Sequence, residues 1–157
     1  MQVGIGYDLH RLVPDRKLFL GGVVVEYELG LYGHSDADVV LHAVIDSLLG
    51  ACSLGDIGDL FPDTDPAYKD IDSTKLLAKV LTLMAEHGFS IVHVDVIIHA
   101  EKPKLKNHKP IIRARLAELM DLSLDQVNVK AKTNEKLDAV GRGEAIAAWS
   151  AATVSKK

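Results

Sequence analysis

A chain of 157 residues, 48% hydrophobic, has the length and content for one domain with a substantial core, over residues 1–157. That content excludes a disordered chain, and a formal charge of -4 mixed in sign, with no long basic block, excludes a nucleic-acid partner. One cysteine, Cys52, excludes an intrachain disulfide; no apolar run reaches membrane-spanning length and no signal peptide is visible, so a soluble cytoplasmic protein with no membrane partner is expected.

Gln2 to Asp8 alternates, with Val3, Ile5 and Tyr7 on one side and Gly4 and Gly6 on the other. This predicts a strand with something packed closely over its glycines. At the strand end, Asp8 and His10 are two apart and project together. One carboxylate and one imidazole so placed form two-thirds of a common catalytic metal set, though the spacing is frequent by chance. Pro14-Asp15 is a turn. Leu18–Leu20, Gly21-Gly22 and Val23–Val25 read as a hairpin.

His34-Ser35-Asp36-Ala37-Asp38-Val39-Val40-Leu41-His42 packs two histidines and two carboxylates into a loop-to-helix junction. Asp36 is the predicted cap of a helix from Ala37 to Leu49 that stops at Gly50. Val40, Val44, Leu48 and Ala51 form its apolar stripe. His42 and Asp46 share a face, so Asp46 is placed to fix the tautomer of His42 and free its other nitrogen for a metal. The alternative is a partly buried structural histidine.

Leu54 to Pro66 carries two glycines, two prolines and four aspartates, which predicts a long loop without a regular element. It lacks the ligand order of an EF-hand. Asp72 or Ser73 caps a second helix to about Glu86, with Leu76, Leu77, Val80, Leu81 and Met84 inward. Ser90 to Ala100 is a strand with Val92, Val94, Val96 and Ile98 on one face. Its other face, with His93, Asp95 and His99, is half polar, which suits a channel, a site or a subunit contact. Asn107 caps a third helix, with Pro110 in its first turn and Arg113 and Arg115 as solvated charges. Val127 to Thr133 is another strand. Lys132, Thr133, Glu135 and Arg142 beside tight turns suit a polyphosphate with a divalent cation. Ala145 to Val154 holds five alanines and fits a helix or a strand.

Nearly the whole chain resembles the 2-C-methyl-D-erythritol 2,4-cyclodiphosphate synthase family of the non-mevalonate isoprenoid pathway. The motifs are Gly6-Tyr7-Asp8-Leu9-His10, Leu20-Gly21-Gly22, His34-Ser35-Asp36-Ala37-Asp38 through His42-Ala43, and Gly55-Asp56-Ile57-Gly58. Leu60-Phe61-Pro62-Asp63-Thr64-Asp65, Pro103-Lys104-Leu105, Lys130 to Glu135 and Gly141-Arg142-Gly143-Glu144 follow in order. The resemblance implies an α+β fold, with a four-stranded sheet and helices packed on one face. It implies a homotrimer around a central channel, with sites between subunits and an isoprenoid-phosphate as a candidate channel ligand. The final segment would then be a strand.

The implied activity is conversion of 4-diphosphocytidyl-2-C-methyl-D-erythritol 2-phosphate to the 2,4-cyclodiphosphate with release of CMP, the work of a phosphorus-oxygen lyase. The resemblance assigns Asp8, His10 and His42 to zinc, and Glu135 to a second divalent cation, magnesium or manganese. His34 and Thr133 are implied transition-state stabilisers. The implied contacts to the cytidine diphosphate substrate begin with Asp8, Leu9, His10, His34 and Ser35. Asp56, Ile57 and Gly58 resemble the erythritol wall, with Phe61, Pro62, Asp63, Thr64 and Asp65 nearby. Ala100, Glu101, Lys102, Pro103, Lys104, Leu105 and Lys106 resemble the cytidine pocket, together with Ala131, Lys132, Thr133, Asn134 and Glu135. Arg142 is implied to face phosphate at the site or channel. The chain departs from many relatives at Asp138-Ala139, where they have Gly-Phe, and at Ala145, where they have Gly.

This chemistry needs no protein nucleophile, because the 2-phosphate of the substrate attacks the β-phosphorus. The protein has to fold the substrate back on itself and stabilise charge on the transferring phosphoryl group. The same ligands would also serve a zinc hydrolase of phosphate esters. A non-catalytic isoprenoid-phosphate binding module is the remaining alternative, against which stands the full metal and phosphate set.

Overall fold

The computed structural model describes residues 1–62 and 64–156. Its elements in chain order are β1 (Gln2–Val13), β2 (Leu18–Leu20), β3 (Val23–Val25), β4 (Gly30–Leu31), α1 (Val39–Cys52) and α2 (Ile57–Leu60). After a 3-10 turn at Pro66–Tyr68 come α3 (Ser73–Glu86), β5 (Phe89–His99) and α4 (Lys109–Leu119). A second 3-10 turn, Leu124–Gln126, leads to β6 (Val127–Lys132), α5 (Asp138–Gly141) and β7 (Ala145–Lys156).

The main sheet is mixed, in the order β4-β1-β7-β5-β6. Only β5 and β6 run parallel; the other pairs are antiparallel. Four strands carry the sheet, and the two-residue β4 extends the expected four to five by pairing with Leu12 and Val13. The β2–β3 hairpin stands apart as its own two-stranded ladder, turning at Gly21 and Gly22, which both take positive φ. The fold is α+β, with helices against one face: α1 on β1 and β7, α3 on α1 and β5, α4 on β6.

The sheet under α1 is floored with small residues, and that sets how closely the helix approaches. Gly4 pairs with Ala152, Gly6 with Ser150 and Asp8 with Ala148. A Cβ at Gly6 would lie 2.0 Å from the Ala43 carbonyl oxygen, and one at Gly4 would lie 2.0 Å from that of Ser47. Ser47 and Ser150 join their hydroxyls at 2.9 Å across this contact. The close approach over the glycines is therefore made by α1. It also explains why an alanine-rich segment is a strand: β7 lies between β1 and β5, where large side chains would push α1 away. The opposite face of the sheet exposes Val3, Ile5, Tyr7, Leu9 and Trp149. Tyr7 and Trp149 stack there, with ring centroids 4.6 Å apart.

Several boundaries differ from the sequence reading. Helix α1 begins at Val39 with Asp38 as its cap, because Ala37 takes φ 59°, which no right-handed helix admits. It runs past Gly50 to Cys52 and ends at Ser53 in the left-handed region. Asp38 is fully buried. Its carboxylate accepts the N–H groups of Val40 and Leu41 and also those of Gly21 (2.8 Å) and Gly22 (2.7 Å) in the hairpin turn. Strand β1 continues beyond His10, since β7 pairs it through Arg11. The loop after α1 contains α2, closed by a reciprocal cap between Asp56 and Asp59.

Helix α3 starts as expected, with Asp72 accepting from the Thr74 N–H. Val92 leaves the apolar alternation of β5 at an irregularity between Ile91 and His93. Helix α4 starts after His108, not Asn107, and its cap makes no side-chain bond. Arg113 is no free surface charge: its guanidinium donates to the carbonyls of Leu124 and Val127, tying α4 to the start of β6. Asp95 on β5 pairs with Lys130 and Asn128 of β6.

Candidate metal centre and adjoining clefts

Because α1 runs so close to β1, His42 arrives beside the two residues that follow the glycines on the same face of the strand. His10 Nε2 lies 2.8 Å from Asp8 Oδ2, His42 Nδ1 lies 2.9 Å from the same oxygen, and the two ring nitrogens are 3.2 Å apart. Four-coordinate zinc with bonds near 2.0–2.1 Å separates its ligand atoms by about 3.3–3.4 Å, so this triangle is close to that spacing. Among the described residues, Asp8, His10 and His42 are the one group of three side chains with ligand atoms so gathered.

The donor set fits a cation. The other nitrogen of His10, Nδ1, is 2.8 Å from the Tyr32 carbonyl oxygen, an acceptor only, so Nδ1 carries a proton and Nε2 is the nitrogen left to share a proton with Asp8 or to give its lone pair to an ion. His42 Nε2 is 3.0 Å from Ser73 Oγ and 3.2 Å from Ser35 Oγ. Burial works against the charge on Asp8, yet hydrogen bonds from His10 and His42 and their charges hold its carboxyl well below the usual range. Burial likewise opposes protonation of His10, but the Asp8 contact outweighs it and raises the imidazole. The side chains keep 12% (His42), 19% (His10) and 24% (Asp8) of their surface exposed, enough to leave the ligand atoms reachable from one side.

That side opens into a cleft of about 560 Å³. His34, Ser35, Ile57, Gly58, Phe61 and Pro62 line it together with the triad. His34 Nε2 is 3.3 Å from the Asp65 carbonyl oxygen. Phe61 packs edge-on against Tyr68 at 5.4 Å, with the Lys79 ammonium over both rings. Asp56 is engaged as the cap of α2 and is not itself among the lining residues. Thr64 is exposed beyond the cleft, and Asp63 lies outside the described residues.

The expected orienting role of Asp46 is not found. Its carboxylate accepts the Ile57 N–H at 2.8 Å and so pins the start of α2, one wall of the cleft. Burial, offset in part by that N–H, and the charges of Asp56 and Asp8 push Asp46 above its ordinary value. The side chain behind His42 is instead Ser73, which the sequence shows only as a helix start.

A second hollow of about 180 Å³ is lined by Ala100, Pro103, Lys104, Leu105 and Lys106, with Ala131, Lys132 and Thr133. Glu101 and Lys102 belong to the same loop, whose start is fixed by the Ala100 N–H to the Lys132 carbonyl at 2.9 Å. Thr133 donates its hydroxyl to Glu135 at 2.8 Å, so these two expected site residues do meet. Glu135 is exposed and takes a positive φ. Within this chain the Glu135 carboxylate is not part of the triad. Asn134 Oδ1 is 2.9 Å from His99 Nδ1, while its amide donates to Asp138, which occupies positive φ. Arg142 is exposed, pairs with Glu144 at 2.9 Å and lines neither hollow. The Leu9 side chain points away from the cleft, into a third hollow on the opposite sheet face with Tyr7, His99 and Trp149.

Comparison with known proteins agrees over the full length. The family model described as the YgbB family matches residues 1–155. A 2-C-methyl-D-erythritol 2,4-cyclodiphosphate synthase from Dehalococcoides mccartyi is 53% identical over 157 residues, all of both chains. The solved bifunctional IspDF of Campylobacter jejuni superposes with a TM-score of 0.95 at 39% identity over 99% of this chain, which spans 42% of that longer one. A 2C-methyl-D-erythritol-2,4-cyclodiphosphate synthase solved in its CDP-bound form superposes at 0.91 with 34% identity, covering 98% of this chain and all of the other. With the metal triad, the cleft and the sheet order in place, the match is one of whole architecture, and the chain belongs to the YgbB family of 2-C-methyl-D-erythritol 2,4-cyclodiphosphate synthases.

Proposed function

We infer that this chain is one catalytic domain that converts 4-diphosphocytidyl-2-C-methyl-D-erythritol 2-phosphate to 2-C-methyl-D-erythritol 2,4-cyclodiphosphate and CMP. An oxygen of the 2-phosphate forms a bond to the β-phosphorus, and the bond from that phosphorus to the bridging oxygen of the CMP leaving group breaks. The observation that carries the reading is the convergence of Asp8 Oδ2, His10 Nε2 and His42 Nδ1 on one point at the head of the cleft. Zinc bound there supplies a Lewis acid for a phosphate oxygen. The residues around it do the positioning. Ile57 and Gly58, on a helix start pinned by Asp46, wall the sugar side. His34 and Ser35 sit at the cleft margin as donors to phosphate oxygens. The loop Ala100–Lys106 with Ala131–Thr133 offers backbone groups and the ammonium groups of Lys104, Lys106 and Lys132, chemistry suited to a cytidine base and its phosphates.

The metal cleft and the nucleotide hollow are separate on this chain, while the apolar face of the sheet is exposed. Both features support a cyclic homotrimer in which adjacent subunits complete each site. No helix among the described residues is long and apolar enough to cross a membrane, and we place the enzyme in the cytoplasm. Light scattering and product analysis on one zinc-loaded sample test the proposal. A trimer mass and a cyclic diphosphate by phosphorus NMR are expected. A monomer with the substrate recovered intact refutes it, and a linear hydrolysed product makes the triad a hydrolase centre.

Glu135 is proposed to hold the second cation, magnesium or manganese, with the diphosphate. A lone carboxylate completed by substrate phosphates is a usual arrangement for such ions, and Glu135 lies outside the zinc triad. Glu135→Gln is expected to keep its zinc by elemental analysis and to lose most turnover. Loss of zinc in step with activity would assign Glu135 to the wrong ion.

A further inference from the structure

The hydrogen bonds behind His42 form a chain with a fixed direction. Ser73 Oγ stands 3.0 Å from His42 Nε2 on one side and donates to Asp36 Oδ1 on the other, a short contact. A hydroxyl has one proton. With that proton on the Asp36 carboxylate, Ser73 Oγ faces His42 as an acceptor, and Nε2 of the ring must carry the hydrogen. Nδ1, which faces Asp8 Oδ2 at 2.9 Å, is then the nitrogen left to give its lone pair to an ion at the point shared with Asp8 and His10, once that ion replaces the proton between them. We propose that Asp36 and Ser73 are positioning residues that set the tautomer and ring plane of His42 for the divalent cation; the proposal rests on the zinc reading of the triad.

Four further observations support it. The Asp36 carboxylate grips Ser73 twice, since its other oxygen accepts the Ser73 N–H at 3.0 Å. The Asp36 N–H returns a bond to the Ile71 carbonyl at 3.1 Å, so the clamp joins the loop before α1 to the start of α3. Ser73 is fully buried, which leaves no bulk water to replace it as the partner of His42. Helix α3 does not need this hydroxyl for its cap, because Asp72 already accepts from Thr74 at 2.8 Å.

The second serine makes the clamp necessary. Ser35 Oγ lies 3.2 Å from the same ring nitrogen and accepts the Ala37 N–H, so its own proton is free to point at His42 Nε2. Without Ser73, Ser35 becomes a donor to Nε2 and favours the tautomer with hydrogen on Nδ1, where the ion has to bind. Ser73 thus selects between two arrangements that Ser35 alone leaves open.

The test uses the full chain. Zinc is titrated off the loaded protein with a competing chelator, and in the loaded protein the His42 Nε2–H is followed by its proton shift and its exchange with solvent in NMR. Wild type is expected to show a slowly exchanging, hydrogen-bonded Nε2–H. Ser73→Ala is expected to speed that exchange and to weaken zinc by ~10–100-fold, the range for outer-shell partners of metal ligands. Ser73→Thr, which retains the hydroxyl, should recover most of that loss. A folded Ser73→Ala with unmoved Nε2–H exchange and zinc affinity within about twofold overturns the proposal. So does a zinc-loaded wild type whose Nε2–H exchanges as freely as that of an exposed imidazole, an outcome that needs no variant to fold. A wild type that binds no zinc overturns the metal reading instead.

Discussion

His42→Ala is expected to lose its zinc and its cyclase activity together while remaining folded. Asp8 and His10 would be the two ligands left, and an ion with an open position for substrate needs three protein ligands to stay bound. The charge stabilisation lost with the ion is worth several kcal/mol at the transition state, a fall of about three orders of magnitude in turnover. The fold should survive because His42 lies on the cleft side of α1. Val40, Leu41, Val44, Ile45, Leu48 and Leu49, all fully buried, hold that helix to the core. Elemental analysis beside circular dichroism measures both outcomes. A zinc-loaded, active variant would remove His42 from the site, and an unfolded one would make it a structural residue.

Gly6→Ala should destabilise the fold strongly, as should a methyl group at Gly4, where the α1 backbone is as close. The new Cβ would sit 2.0 Å from the Ala43 carbonyl oxygen and 2.7 Å from the Ser47 nitrogen. Both are backbone atoms of α1, so no side chain can rotate away, and helix and strand must separate. Overpacking of this kind costs about 1–3 kcal/mol and more where nothing yields. At roughly 2–4 °C per kcal/mol for a chain of this size, the melting temperature should fall by about 10 °C. The metal site should suffer too. Ala43 adjoins His42, and Asp8 follows Gly6 on the same strand face, so lifting the helix pulls His42 Nδ1 from its place 2.9 Å from Asp8. Calorimetry and chelator competition on the same variant should move together. A melting point within about one degree of wild type would mean that the contact accommodates a methyl group.

Much of this site lies in short-range pattern. Period-two alternation is enough to put Gly4, Gly6, Asp8 and His10 on one side of β1, and the glycines announce a close neighbour before that neighbour is known. The hairpin turn at Gly21-Gly22 and the cap at Asp72 are likewise local chemistry. His42 was joined to the strand pair by family resemblance, since no local rule links residues 32 positions apart. What stayed hidden depends on contacts between distant segments. Asp46 satisfied the one-turn spacing to His42 but met a better donor, the Ile57 N–H. Ser73 reached His42 across 31 positions and read only as a helix start. Ala37 in the left-handed region moved the start of α1 by two residues, with nothing in its side chain to signal it. The alanines of β7 argued for helix by propensity. Their place in the sheet follows from the room α1 requires above Gly4, Gly6, Ala148 and Ala152.

The buried carboxylate of Asp38 bears on how long a bound ion stays. Its four N–H donors come from two segments, Gly21-Gly22 in the hairpin and Val40-Leu41 at the head of α1. Parting those segments strands a charge in the interior with half its donors gone, so neither frays by itself. The hairpin turn is in turn seated on α4 and α3, where Gly21 faces Ile112 and Gly22 faces Thr74. The first turns of α1, which carry His42, therefore open only as part of a larger cooperative unit. Small, frequent openings that would release a cation from Asp8, His10 and His42 are suppressed at this helix end. Retention of such an ion would then be governed by rare, concerted unfolding as much as by the strength of its bonds to those three side chains.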